Sequence, residues 1–316
     1  MRGKRKRKNE RSFALDGKAQ RTGAAAMTMR ERTTSDKYGL RFIAVAGGKG
    51  GVGKTNIAAN LAVSLSLAGR RVLVFDGDLG LANVDVVFGM APRLTIRHAL
   101  EQRRNLAEVI MPGPGGVDVI PAGSGVTELA HLPRELGAKL TMDLARLSAR
   151  YDFVVIDAPA GIGNNVLRFI GLADEVLMVT TPEPTAVIDA YALTKIVLTA
   201  TPHKPVRLLV NMASDPEEGR HVAASFADIA RRFLRKEIAC AARLPYDPNV
   251  PLAVRRQQPW TLCFPDCTAS RLLRALAATF LREQTGECES GDLQVRLARW
   301  FASAETIGPP TPAGVG

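Results

Sequence analysis

A chain of 316 residues with 46% hydrophobic content can bury a large core, and no apolar run approaches the roughly 20 residues that a membrane span needs. Of the formal charge of +11, residues 1–39 hold +8 through 12 Lys/Arg against 4 Asp/Glu. The remaining +3 argues against a nucleic-acid surface built into the body. The four cysteines, Cys240, Cys263, Cys267 and Cys288, form no CxxC pair. That argues against a zinc ribbon or cluster carrier, and with no secretory h-region ahead of them they are expected as reduced thiols.

In chain order, MRGKRKRKNER opens a solvated, basic extension over 1–39, expected to be disordered. Contact with anionic lipid or nucleic acid is the sharper reading of that tail. From residue 40, short β-branched runs alternate with longer helical patterns, which predicts βαβ units and a parallel sheet. Strands are expected at 41–46, 71–76, 116–123, 151–157, 173–180, 206–212 and 238–244. Helices are expected at 54–67 (ended by Gly69), 95–111, 132–150, 186–198, about 219–236 and 269–283. A linker over 286–291, a helical segment at 292–304 and a Pro/Gly-rich tail complete the chain. The fold class is therefore α/β: one doubly wound domain over 40–285, with a mostly parallel sheet of about seven or eight strands flanked by helices. Ligands of such sheets sit at the carboxyl ends of the strands.

The chemistry-bearing residues cluster at those ends. GKGGVGKT, 48–55, matches GxxxxGK[ST] between a strand and a helix, the context of a phosphate-binding loop. Gly48, Gly50, Gly51, Val52 and Gly53 would wrap backbone amides around phosphate oxygens, and the helix N-terminus adds its dipole. Lys54 would contact the β- and γ-phosphates, and the Thr55 hydroxyl would ligate Mg²⁺. Asp157 closes the apolar run FVVID and would hold the same ion. In DGDLGLANVD, 76–85, Asp76 and Asp78 are placed to assist the metal and to orient an attacking water. Nucleoside triphosphate hydrolysis with Mg²⁺ is the expected activity.

Lys49 is surplus to that loop. In the form KGGVGKT it resembles the signature lysine of the deviant Walker A, or MinD/ParA, class of P-loop ATPases. DGDLGLANVD and DAPAG (157–161) resemble the switch segments of that class. PEPTAVIDAYALTK (182–195) and LPYDPNVPLAVRRQQPW (244–260) resemble the FlhG/FleN (YlxH) flagellar-number regulators, over about residues 40–283 in all. The resemblance implies a slow ATPase using ATP/ADP and Mg²⁺ and a face-to-face ATP homodimer in which Lys49 reaches the partner's phosphates. It further implies Asp78 as the water-orienting acid, Asp76 as metal support, Asn211 as adenine reader, and Pro245 and Asp247 at the base.

At the end of the chain, Leu293, Leu297, Trp300, Phe301 and Ala304 share one helical stripe, the shape of a short interfacial helix. By the same resemblance this implies a bacterial cytoplasmic protein, reversibly peripheral at the inner face of the cytoplasmic membrane. Partners implied are the flagellar GTPase FlhF, a flagellar transcription activator or basal-body components. DGKAQRTG (16–23) is only a loose echo of the GTPase-stimulating motif of some FlhG proteins. The other reading is a ParA-type segregation or positioning ATPase that uses the basic tail on DNA.

Overall fold

The computed structural model describes residues 39–78, 83–101, 104–123, 143, 146–147 and 150–284. The basic extension, the expected 132–150 helix in the main and the 292–304 helix lie outside these residues.

In chain order the elements are β1 (Arg41–Gly47), α1 (Lys54–Leu67), β2 (Val72–Asp76), α2 (Val84–Val87) and α3 (Ile96–Glu101). A 3₁₀ turn at Leu106–Glu108 leads to β3 (Met111–Pro112), β4 (Asp118–Ile120), β5 (Phe153–Ala160), α4 (Asn164–Leu172) and β6 (Glu175–Thr180). Then follow α5 (Pro184–Ala200), β7 (Val206–Ala213), α6 (Pro216–Leu234), β8 (Ala239–Pro245), α7 (Asn249–Arg255), α8 (Trp260–Cys263) and α9 (Thr268–Glu283).

The eight strands form one sheet in the order β3-β4-β2-β5-β1-β6-β7-β8. Every pairing is parallel except β3 with β4. Both faces are covered. Phe42, Ala44 and Ala46 of β1 join one apolar cluster with Phe75, Ile156, Phe169, Leu193 and Phe226. Ile43 and Val45, pointing the other way, join Leu61, Val155, Leu273 and Phe280 under α1 and α9. Burial on two faces explains why the strands read as continuous apolar runs rather than alternating ones.

The expected 95–111 helix is a correction. The helix stops at Glu101, and Asn105 starts a separate 3₁₀ turn through a capping box: its side chain accepts from Ala107 N at 2.9 Å, and Glu108 accepts from Asn105 N at 3.1 Å. The 219–236 helix begins earlier than expected, at Pro216. Asp215 caps it by accepting from Glu217 N and Glu218 N, both at 2.8 Å, and Arg235 ends it at φ 55°.

At the amino ends of the strands, opposite the phosphate loop, buried Glu175 faces two arginines. Arg41 Nη2 lies 2.6 Å and Arg207 Nε 3.3 Å from its carboxylate. Both guanidinium groups stack on Phe280 at 5.5 Å. Beside them Gln284 Nε2 donates to Gly39 O and Asp152 O, each at 3.0 Å, which stitches the start of the body to its end.

Candidate functional site

The phosphate loop runs from β1 straight into α1, and two contacts fix its course. Gly53 has φ +92°, a left-handed conformation, and a Cβ there would lie 2.5 Å from Asn211 Nδ2. Asn211 Nδ2 itself donates to Val52 O at 2.9 Å, so the end of β7 is bolted to the loop. On the other flank, Gly48 packs so closely on α5 that a Cβ would meet Asp189 O at 2.2 Å. Gly50 and Gly51 face open space. No side chain caps α1, so its first amides are left for an anion.

Lys54 is buried at the mouth of α1, and its ammonium donates across the loop to Lys49 O at 3.2 Å. Burial lowers its pKa, while the charges of Asp157 and Asp78 work the other way.

The order β2-β5-β1 brings the acids together. Asp76 and Asp157 are partners in register, both buried. Burial pushes Asp157 up to about 7, against a hydrogen bond from the Thr55 hydroxyl and the charge of Lys54. Burial, and then the charge of Asp157, push Asp76 up to about 8. Asp76 has a further duty that the sequence did not reveal. Its Oδ1 accepts from Asp78 N at 3.1 Å, and its Oδ2 from Asn83 N at 3.2 Å and Val84 N at 3.3 Å. It thereby pins both ends of the 78–83 segment and caps α2.

Asp157 Oδ1 is buried with no hydrogen-bond partner among the described residues. An orphaned carboxylate oxygen beside the Thr55 hydroxyl is a hard oxygen donor pair and fits Mg²⁺. Among the described residues no three His, Cys, Asp or Glu side chains form a metal cage.

Lys49 does not share the path of Lys54. Its ammonium pairs with the Glu183 carboxylate and bonds Thr185 Oγ1 at 2.7 Å, at the start of α5. That contact holds the Glu183 carboxyl below its usual range. Glu183 and Thr185 lie in the PEPT segment just past the end of β6. The rule that ligands gather at strand carboxyl ends could have singled them out.

Beyond Asn211 opens a cavity of about 280 Å³, walled by Asn56, Met212, Pro245, Tyr246, Val250 and Trp260, among others. Asp247 also borders it, but its carboxylate is spent on structure. Oδ1 accepts from Asn249 N and Nδ2 at 3.0 and 2.9 Å, and Oδ2 from Ala269 N at 3.1 Å. Met212 sits at φ 58°, a left-handed strain of about 1–2 kcal/mol placed at the rim. Sequence reasoning missed Asn56, Met212 and Trp260. The expected site residues from Gly48 to Asp247 thus lie at the carboxyl-end side of the strands, with phosphate loop, acids and cavity contiguous.

The family described as an AAA domain matches residues 40–205. The antiactivator FleN of Pseudomonas aeruginosa is 42% identical over 238 residues, which cover 75% of this chain and 85% of that protein. The flagellum site-determining protein YlxH of Helicobacter pylori is 41% identical over 185 residues, 58% of this chain and 62% of that one. Among solved structures, the septum site-determining protein MinD of Pyrococcus horikoshii OT3, complexed with Mg-ADP, superposes with a TM-score of 0.64 at 25% identity, covering 79% of this chain and 100% of that chain.

Proposed function

The chain belongs to the MinD-like P-loop ATPases of the FleN/YlxH kind, and from that premise we propose that it is a slow ATPase whose ATP-bound form is a homodimer that sets flagellar number or placement. The observation that carries the dimer is Lys49. Lys54 already serves its own loop, whereas the Lys49 ammonium rests on Glu183 and Thr185. An exposed ion pair of this kind is weak, so a phosphate of the facing subunit can take the ammonium over at small cost.

Within the site, the loop amides and Lys54 bind the β- and γ-phosphates. Thr55 and Asp157 hold Mg²⁺, which supplies charge neutralisation to the phosphate oxygens when bound. The Asp76 carboxylate holds the backbone of Asp78 and of Asn83, and Asp78 orients the attacking water. Asn211 has its amide nitrogen committed to Val52, which leaves its oxygen to accept from an adenine amino group. Pro245 and the Asp247-braced wall border the base.

For output, the name of the Pseudomonas relative favours a nucleotide-gated antiactivator that binds a flagellar transcription activator. The membrane half of the reading rests on the 292–304 stripe: two copies in a dimer bind a cytoplasmic membrane surface that one copy binds weakly. Residues 1–39, 40–285 and 286–316 then act as extension, ATPase body and membrane-binding tail. Among the described residues no helix is long and apolar enough to cross a membrane.

The test is size-exclusion chromatography with light scattering, paired with liposome co-sedimentation in ATP and in ADP. Parent protein and Asp78→Ala should dimerise and pellet in ATP, the variant persistently because hydrolysis is lost. Lys49→Ala should stay monomeric while keeping some nucleotide binding. A Lys49→Ala protein that dimerises normally in ATP overturns the dimer reading. Pelleting that is absent in both nucleotides overturns the membrane reading.

A further inference from the structure

The middle of α1 is an Ala/Leu-rich helix buried under the sheet, yet it carries one amide with no exposure at all, Asn60. A buried amide is costly unless its polar atoms are matched, and these are. Asn60 Nδ2 donates to Asn56 O at 2.8 Å, one turn nearer the phosphate loop. Its Oδ1 accepts twice from a residue 201 positions away: Thr261 N and Thr261 Oγ1, both at 3.0 Å. Both lone pairs of that oxygen are thus committed to Thr261.

Thr261 is buried in α8 and follows Trp260, which is also buried and lines the cavity beyond Asn211. The Trp260 carbonyl is held from the other side by Ser270 Oγ of α9 at 3.2 Å. Asn56, at the near end of the same chain of bonds, lines the cavity too. The phosphate-binding helix and the far wall of the cavity share one apolar cluster, and Asn60 adds a hydrogen-bonded link between them that no apolar side chain could make.

We propose that Asn60 is a positioning residue for nucleotide recognition, fixing the Trp260 wall relative to the phosphate loop so that base and phosphates bind as one rigid unit. The inference rests on the nucleotide reading of this cavity and adds to it the residue that couples its two halves. Removing the Asn60 side chain leaves the Thr261 N–H and hydroxyl buried without their acceptor. The cavity wall then relaxes, while the phosphate loop, held separately by Asn211 and Asp189, keeps its shape.

The experiment compares ATP with inorganic tripolyphosphate by isothermal titration calorimetry, using the full chain with Mg²⁺. It is run on the parent, Asn60→Ala, Thr261→Val and Thr261→Ser. Asn60→Ala, which leaves two buried donors unmatched, should lose about tenfold or more in ATP affinity, with tripolyphosphate affinity within about twofold of the parent. Thr261→Val, which keeps its backbone donor, should show a smaller loss in the same direction. Thr261→Ser, which keeps both donors, should restore the parent ratio. In a Trp300→Phe background, Trp260 is the sole tryptophan, and its emission change on ATP binding should be lost in Asn60→Ala. Equal losses for both ligands, or an unchanged ratio in a folded Asn60→Ala or Thr261→Val, overturn the coupling while leaving the nucleotide site intact. A parent protein that binds neither ligand overturns the nucleotide reading itself, and this inference with it.

Discussion

Gly48→Ala tests the tightest contact of the phosphate loop. The added Cβ would stand 2.2 Å from the Asp189 carbonyl oxygen and 2.4 Å from its carbon, where ordinary contact begins at 3.4 Å. Loop or helix must therefore give way by about 1.2 Å. The obstructing atoms belong to the backbone of α5, so no rotamer change relieves the clash. Overpacking of this kind costs about 1–3 kcal/mol. For a domain of this size that lowers Tm by about 2–4 °C per kcal/mol. The effect on chemistry is larger, because a misplacement of about 1 Å in a phosphate-positioning element costs on the order of 10²-fold in rate. Steady-state ATP hydrolysis and thermal melting by circular dichroism read the two effects separately. Gly50→Ala is the stability control, since a Cβ there meets nothing within 4 Å, and it should melt like the parent. Hydrolysis within twofold of the parent together with a parental Tm in Gly48→Ala would refute the argument that α5 dictates the course of the loop.

The raised Asp76 and Asp157 carboxyls give a second prediction. Between the ordinary value near 3.8 and the folded values of about 8 and 7, the folded protein holds protons that the unfolded chain has released. Stability without Mg²⁺ should therefore fall as pH rises from about 5 to 8, and Mg²⁺ affinity should rise over the same window because binding expels those protons. Melting curves with and without Mg²⁺ check both signs, and a metal-free Tm that climbs with pH contradicts them. Asp157→Asn should raise the metal-free Tm at pH 8 by removing a buried charge, while hydrolysis drops by about 10² or more. A variant that keeps parental hydrolysis would remove Asp157 from the metal site. Glu183→Gln should release the Lys49 ammonium with little change in Tm, so that ATP-dependent dimers form at lower protein concentration in light scattering. Weaker dimerisation would mean that Glu183 helps Lys49 rather than restrains it.

The parts of the fold that were legible are those governed by local chemistry. The run RFIAVA followed by glycines placed β1 and the phosphate loop, and FVVID placed Asp157, because strand, turn and helix signals there agree with the final packing. The break near Asn105 was hidden by a helical pattern of apolar residues, although the box formed with Glu108 is itself a local signal. Residues 84–87 form α2 because Asp76, at the far end of a segment, supplies their cap. Asn60 could not be read at all. In sequence it is one polar position in an Ala/Leu-rich helix, and its partner lies 201 residues away. Asp247 is expected at the base. It lines the cavity beyond Asn211, yet its carboxylate is consumed by Asn249 and Ala269, a commitment visible only once α7 and α9 are packed.

The Gln284 amide, bonded to both Gly39 and Asp152, makes the body a nearly closed ring of chain. A short peptide bridging residues 39 and 284 would complete that ring, and new termini could then be opened in a surface loop, in the manner of a circular permutant. The seam lies one strand length from Lys54, about 20 Å along β1. The phosphate loop lies at one end of the central strands and this seam at the other, so a bridge built there would leave the loop and the acids untouched.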